Sequence, residues 1–110
     1  MAFWRAFQKR PQLLVTTSYI FDEIITLIRK RLDHGRARSV AQRLRFSPSV
    51  TLINIDEDDF EASWQWFDHY HDKEFSFTDC VSFAVMKRLK LKTALTFDKH
   101  FTQAGFERKP

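Results

Sequence analysis

The sequence predicts a single α/β domain, residues 1–110, with a mostly parallel sheet. Three short apolar segments, 13–17, 50–55 and 93–97, alternate with longer helical patterns. Strands joined by helices pair in parallel, and helices cover both faces of such a sheet, which gives three layers. The chain has only two glycines and three prolines, and this content disfavours a turn-rich all-β sandwich.

The first half of the chain begins with Met1–Pro11, where Phe3, Trp4 and Phe7 suggest the end of a short amphipathic helix stopped by Pro11. Leu13–Thr17 is predicted as a buried strand because it is short, uncharged and partly β-branched. A helix capped by Ser18 follows. Its apolar stripe repeats every four residues, at Ile20, Ile24, Ile28 and Leu32.

The segment Asp33-His34-Gly35 is predicted as a turn before a third helix over about 36–46. That helix is expected to bury Ala37, Val40, Ala41 and Leu44. Strand 50–55 follows, and Asp56 is predicted to cap a helix. The apolar stripe of that helix is predicted to contain Phe60, Trp64 and Phe67, whereas the role of Trp66 is left open.

In the last third, Ser76 or Thr78 is predicted to cap a helix that runs to about Leu89. Strand 93–97 comes next, and residues 98–101 are predicted as a tight turn or a short helix that Gly105 ends. The lone cysteine, Cys80, lies in an apolar helical stretch and is predicted to be a core residue rather than a nucleophile.

Charge and composition narrow the function classes. The formal net charge is +4, which permits a polyanionic partner without requiring one. Two segments concentrate the basic residues, although solvated helix faces are an equal alternative. The first runs from Arg29 to Arg45 and contains seven basic residues, among them Arg36, Arg38, Arg43 and Arg45. The second contains Lys87, Arg88, Lys90 and Lys92.

Several classes of protein are disfavoured. No long uncharged apolar run is present, so no membrane span is expected. A single cysteine allows neither an internal disulfide nor a cysteine-based zinc site, and it suits the reducing cytoplasm. No glycine-rich phosphate loop is visible, which disfavours ATP and NAD chemistry.

Three acids are predicted to meet at one edge of the sheet. Glu23 and Asp79 lie near the starts of two helices, and Asp98 follows the last strand. Helix starts and strand ends share the edge where ligands bind in such sheets. Clustered carboxylates repel one another unless a hard cation such as Mg²⁺ or Mn²⁺ is present. His100 lies near Asp98 and could approach a phosphate, but it is expected to be a surface histidine.

Three segments together resemble the PIN-domain ribonucleases, the fold of VapC-type toxins: 16–27, 75–86 and 94–101. The resemblance implies hydrolysis of RNA with Mg²⁺ or Mn²⁺, with Glu23, Asp79 and Asp98 as metal ligands. It also implies that Thr78 and Thr96 are accessory hydroxyls and that the toxin forms a dimer neutralised by a small antitoxin. The arginines of 36–45 are then expected to hold the RNA backbone.

One feature departs from that family. PIN domains open with a central strand that ends in an acid, and Met1–Gln12 offers neither, so we expect an N-terminally truncated domain. The vacant position is filled by direct pairing of its neighbours, by another segment or, as we expect, by a second copy in a homodimer. The lost acid predicts weak metal binding and low or absent nuclease activity for this chain alone. The alternative function is a non-catalytic RNA-binding or dimerising remnant of a PIN domain.

Overall fold

The fold was analysed in a computed structural model that describes residues 6–10, 13–96 and 98–109. Its centre is a sheet of five strands in the order β3-β2-β1-β4-β5. The strands are β1 Ala6–Arg10, β2 Leu13–Thr17, β3 Val50–Ile53, β4 Thr93–Leu95 and β5 Glu107–Lys109. The pairs β2–β3 and β4–β5 are parallel, whereas the two pairs that β1 makes are antiparallel, so the sheet is mixed rather than mostly parallel.

Five helices surround the sheet. They are α1 Ser18–Arg31, α2 His34–Phe46, α3 Glu57–His69, α4 Phe77–Arg88 and α5 His100–Gln103. Helix α1 packs against α2, and α3 packs against α4. The α/β fold class is therefore confirmed, and the predicted helices at 18–32, 36–46 and 76–89 have close counterparts.

The prediction of a helix before Pro11 is wrong for residues 6–10, while residues 1–5 and Pro11 lie outside the described part of the chain. Ala6–Arg10 is strand β1, which runs antiparallel to both β2 and β4. A helix of ten residues is marginal alone, whereas two neighbouring strands offer unpaired backbone groups. Only two residues separate Arg10 from Leu13, and so short a connection joins antiparallel strands.

Strand β1 lies at the position where we expected a strand from a second copy. Phe7 is opposite Val15 of β2 on one side and opposite Ala94 of β4 on the other. Strand exchange between copies is therefore not needed to complete this sheet. Strand β5 was not predicted either, because its sequence Glu-Arg-Lys is exposed and carries no apolar pattern.

The start of α1 differs in one detail from the prediction. Thr17, not Ser18, is the N-cap, and its side chain accepts a hydrogen bond from the backbone N–H of Ile20 at 3.2 Å. The Ser18 hydroxyl instead accepts a hydrogen bond from the backbone N–H of Ile55 at 3.1 Å. Ser18 thus ties the start of α1 to the segment that follows β3.

Helix α3 presents a different face to the core than its apolar stripe predicts. Phe60, Trp64 and Phe67 are 43–47% exposed. The buried side of α3 carries Asp59 and Ser63, while the partly buried Trp66 packs against the core. The prediction that Trp64 is a core residue is therefore wrong, and Trp66 takes that role.

The hydrophobic core lies around α4. Eight consecutive residues of this helix, from Asp79 to Met86, are buried. The Phe83 ring has no exposed surface and packs against Trp66, Phe75 and Phe101. Helix α4 is thus held firmly by its neighbours, and its first turn is a rigid support for side chains. Within the described residues, no helix is long and apolar enough to cross a membrane.

Candidate metal centre

Asp79 is fixed by the N-terminal cap of α4. The Ser76 hydroxyl accepts a hydrogen bond from the backbone N–H of Asp79 at 3.0 Å. In return, Asp79 Oδ2 accepts one from the backbone N–H of Ser76 at 3.1 Å. This reciprocal capping box satisfies two backbone donors at the helix start. The Asp79 side chain is only 2% exposed, so the carboxylate is held in one orientation inside the protein.

Asp98 is fixed by the turn that follows β4. Its backbone N–H donates to the Thr96 hydroxyl at 3.0 Å. Its side-chain Oδ1 accepts a hydrogen bond from the backbone N–H of His100 at 2.9 Å, an arrangement typical of aspartate in turns. The same turn brings the His100 ring back toward the end of β4, so Thr96, Asp98 and His100 form one local unit.

Asp79, Asp98 and His100 come together at the edge where β4 ends and α4 begins. His100 Nδ1 lies 3.1 Å from Asp79 Oδ2 and 3.2 Å from Asp98 Oδ1. Ionised carboxylates only accept hydrogen bonds, so Nδ1 carries the proton in this arrangement. One ligand atom from each of the three residues lies within 4.8 Å of the others. The two carboxylates at this spacing offer oxygen ligands to a divalent cation, whereas the protonated Nδ1 is a hydrogen-bond donor to them and not a ligand.

Glu23 lies on α1 beside a neighbouring cleft. The cleft has a volume of about 340 Å³, and Glu23 and Thr78 both line it. The other lining residues are Tyr19, Asp22, Thr26, Leu27 and Lys30. Thr78 immediately precedes Asp79 in α4, so the cleft adjoins the buried acid. Glu23 is nevertheless outside the group of ligand atoms that approach within 4.8 Å in the described part of the chain.

The family described as PIN domain matches residues 2–107 of the chain. The chain belongs to this family. The expected family resemblance is thereby confirmed, and the match includes strands β1 to β4 and the first residue of β5.

The chain is similar to a toxin endonuclease of Mycobacterium tuberculosis. It is 33% identical over 102 residues to the 23S rRNA-specific endonuclease VapC20 of Mycobacterium tuberculosis, in strains CDC 1551 / Oshkosh and H37Rv; the match covers 93% of this chain and 77% of VapC20. A crystal structure of VapC20, a sarcin-ricin loop cleaving toxin, is similar with a TM-score of 0.80 at 34% identity. That match covers 88% of this chain and 74% of the other.

The PIN domain brings together some of the predicted site residues and leaves others apart. Asp79 and Asp98 lie in the same cluster, and the Thr96 hydroxyl accepts a hydrogen bond from the backbone N–H of Asp98. Glu23 and Thr78 share the adjoining cleft rather than the acidic cluster. The four predicted arginines, Arg36, Arg38, Arg43 and Arg45, are all exposed on α2.

His100 was predicted to be a surface histidine, with an approach to phosphate as the less favoured alternative. Its side chain is only 21% exposed, and its ring packs edge-on against Phe75 with 5.6 Å between centroids. The sequence Asp-Lys-His directly after a strand is the feature that could have predicted the position of His100. An aspartate in a turn accepts from the backbone two residues on, which places the third residue over the carboxylate.

Cys80 follows Asp79 in α4 and has no exposed surface, which confirms the prediction of a core residue. Burial, together with the neighbouring Asp79 carboxylate, raises the pKa of the Cys80 thiol from 9.0 to about 11. The thiol is therefore protonated at neutral pH, and a protonated thiol is a poor nucleophile. Cys80 contributes packing and not chemistry to this PIN domain.

The raised pKa of Cys80 predicts a pH dependence of stability. An unfolded chain releases the thiol proton near pH 9, whereas the folded chain keeps it until about pH 11. The contribution is therefore fully present below pH 9 and is lost as the pH rises through this window. Urea unfolding should show wild type losing about 2 kcal/mol more than Cys80→Ala over that range. Parallel stability curves for the two proteins would contradict this.

Proposed function

We propose that this PIN domain is a metal-dependent endoribonuclease that hydrolyses RNA phosphodiester bonds as the toxin of a toxin–antitoxin pair. The observation that carries the proposal is the cluster of the buried Asp79 with the partly buried Asp98 and His100 at the sheet edge. Homology to an rRNA-specific endonuclease supports RNA as the substrate. RNA as substrate and a single, buried cysteine support action in the cytoplasm.

The donor set suits Mg²⁺ or Mn²⁺, because both cations prefer carboxylate oxygens. Asp79 and Asp98 would hold the ion, with Glu23 as a further ligand from across the adjoining cleft. When bound, such a cation supplies Lewis-acid stabilisation of the negative charge that develops on a phosphate. His100, with its proton on Nδ1, already offsets part of the repulsion between the two carboxylates.

The remaining side chains have roles in positioning. The Ser76 cap and the Thr96 hydroxyl hold the two aspartates in place, so little reorganisation is needed during the reaction. Thr78 opens onto the cleft beside Glu23 and is proposed to orient a ligand or a water molecule. The exposed arginines of α2 are proposed to hold the RNA backbone, since guanidinium groups pair well with phosphates.

The experiment that tests the proposal is a cleavage assay on RNA with Mn²⁺ and with EDTA. We expect weak Mn²⁺ binding, so the assay needs a saturating concentration of the ion, established by isothermal titration calorimetry. Cleavage that depends on Mn²⁺ supports the ribonuclease. Cleavage is expected to be slow, in line with the low activity predicted for this chain alone, and its absence at saturating Mn²⁺ overturns the ribonuclease. Tight Mn²⁺ binding would contradict the expected weak site.

A non-catalytic RNA-binding role is the second candidate, and one observation favours it. His100 Nδ1 lies within 3.2 Å of both aspartates, so the imidazole satisfies the pair without a metal. In that case RNA binding depends on salt and on the arginines of α2, because basic side chains then displace counterions. RNA binding in EDTA that survives Glu23→Gln, in a protein without Mn²⁺-dependent cleavage, selects this candidate.

An antitoxin segment is the protein partner that we propose for the exposed face of α3. Phe60, Trp64 and Phe67 share this face, and Phe77 of α4 joins them at centroid distances of 5.3 Å from Phe60 and 5.9 Å from Phe67. At 100° per residue, three acids of α3 flank one side of the stripe: Glu57, Glu61 and Asp68. An apolar stripe with an acidic border suits an amphipathic segment that carries basic residues.

The test uses a helical peptide with leucines on one side and arginines beside them, and a control peptide with glutamates in place of the arginines. We expect the arginine peptide to bind wild type at least tenfold more tightly than Trp64→Ser, since exposed aromatic anchors dominate such interfaces. Equal binding of both peptides contradicts the assignment. Sedimentation tests the predicted homodimer in parallel. If Trp64→Ser dissociates a dimer, the aromatic face of α3 binds a second copy of this chain and not an antitoxin.

A further inference from the structure

A basic cleft lies at the other end of α4 from the acidic cluster. Its volume is about 490 Å³, and three lysines line it: Lys87, Lys90 and Lys92. Met86, Leu91 and Phe106 supply apolar lining, and Glu107 is the acid among the lining residues. The Glu107 carboxylate accepts a hydrogen bond from the Thr93 hydroxyl at 3.2 Å, and its single negative charge offsets only part of the charge of three lysines. The lysines therefore dominate the charge of this cleft.

Lys90 occupies a backbone conformation that lysine rarely adopts. Its φ is +59°, and among the described residues other than glycine no other φ is positive. The surrounding hydrogen bonds form a Schellman motif, in which Leu91 N–H donates to Met86 O at 2.8 Å and Lys90 N–H donates to Lys87 O at 3.2 Å. Glycine is the favoured residue at this position, because a side chain there is strained.

The strained position aims a cationic side chain at a cleft that two other lysines share. Helix α4 already carries Lys87 and Arg88 in its last turn, which is sufficient to complement the helix dipole. Lys90 and Lys92 lie beyond the helix end and are not explained by that dipole. The Lys87 ammonium lies 5.7 Å from the centroid of the Phe106 ring, which holds it at the wall of the cleft.

We infer that the cleft of Lys87, Lys90 and Lys92 binds backbone phosphates of the RNA substrate at a distance from the acidic cluster. This inference deepens the proposed function. Helix α4 has 12 residues and is therefore about 18 Å long. Along one strand of a nucleic-acid helix that distance corresponds to about five nucleotides. Lys92 precedes β4 and Asp98 follows it, so the two sites lie at opposite ends of both elements.

Binding of a fluorescein-labelled RNA hairpin, measured by anisotropy in EDTA over a range of salt, tests the inference without cleavage. The variant Lys87→Gln/Lys90→Gln/Lys92→Gln should bind roughly tenfold to a hundredfold more weakly. Its slope of log K against log salt should be shallower by about 2. The control Lys73→Gln, which removes one charge from a lysine beside Asp72, should leave the slope unchanged.

Lys90→Gly separates this inference from a structural role. Glycine relieves the strained φ, so the variant should unfold at a temperature about 5 °C higher, yet bind RNA several-fold more weakly with a slope shallower by about 1. Equal binding of wild type, the triple variant and Lys90→Gly overturns the inference. The proposed function is judged separately by wild-type cleavage with Mn²⁺, so failure of either is recognised without the other.

Discussion

The Asp79→Asn substitution is expected to lower Mn²⁺-dependent RNA cleavage by about 10³-fold, which corresponds to about 4 kcal/mol of lost transition-state stabilisation. The amide keeps a carbonyl oxygen that can accept from the backbone N–H of Ser76, so the helix cap persists. It removes the negative charge that attracts a cation. Initial rates at saturating Mn²⁺ and RNA measure the loss, and thermal unfolding should show a domain that remains folded.

Ser76→Ala is the matched control for that substitution. It removes the hydroxyl that accepts from the Asp79 backbone N–H at 3.0 Å and leaves the Asp79 carboxylate in place. Loss of such a cap costs about 1 kcal/mol of stability, and cleavage should fall far less than in Asp79→Asn. If both variants lose activity equally, Asp79 acts through the helix cap and the metal role is wrong.

The two aspartates of the site could be predicted from the sequence because their positions depend on topology alone. An acid in the first turn of a helix and an acid after a strand meet at one edge of an α/β sheet. His100 could not be found in this way. Its place at the site depends on the turn in which Asp98 Oδ1 accepts from the His100 backbone N–H, a contact that no apolar periodicity reports.

The fold was predictable where the local pattern and the tertiary contacts agree. Strand β2 is a short uncharged apolar run, α1 has an apolar stripe that repeats every four residues, and α4 is apolar after its cap, so each can be recognised from its own residues. Strand β1 is different, since the unpaired edges of β2 and β4 decide its conformation. The residues of a segment indicate only its own conformational preference. They do not show that two strands distant in the sequence have unpaired backbone groups on either side of it.

Helix α3 shows why an apolar stripe can mislead. Its buried side holds Asp59, whose carboxylate accepts two hydrogen bonds from the Arg88 guanidinium, at 2.7 and 3.1 Å. A carboxylate can be buried when a guanidinium pairs with it in this fork geometry. Arg88 lies 29 residues away in the sequence, so the residues of α3 alone do not indicate that Asp59 is paired and buried. The aromatic stripe was therefore predicted to be the buried side, although the opposite side packs on α4.

Phe83→Ala should be the most destabilising single substitution in the domain. The ring has no exposed surface. Four aromatic rings lie within 5.7 Å of it, centroid to centroid, from Trp66, Phe75, Phe101 and Phe106. Replacing a buried phenylalanine by alanine costs about 3–5 kcal/mol, a large share of the roughly 5–15 kcal/mol that stabilises a domain. Urea unfolding measures the change.

Trp64→Ala tests the orientation of α3 when its loss of stability is compared with that of Phe83→Ala. Trp64 is 44% exposed, so its removal should cost less than about 1 kcal/mol, as for most surface substitutions. Trp66→Ala should cost more, because that ring contacts Phe83 at a centroid distance of 5.2 Å. If Trp64→Ala proved as damaging as Phe83→Ala, the stripe predicted from periodicity would face the core. The aromatic face proposed for an antitoxin would then not be available to any partner.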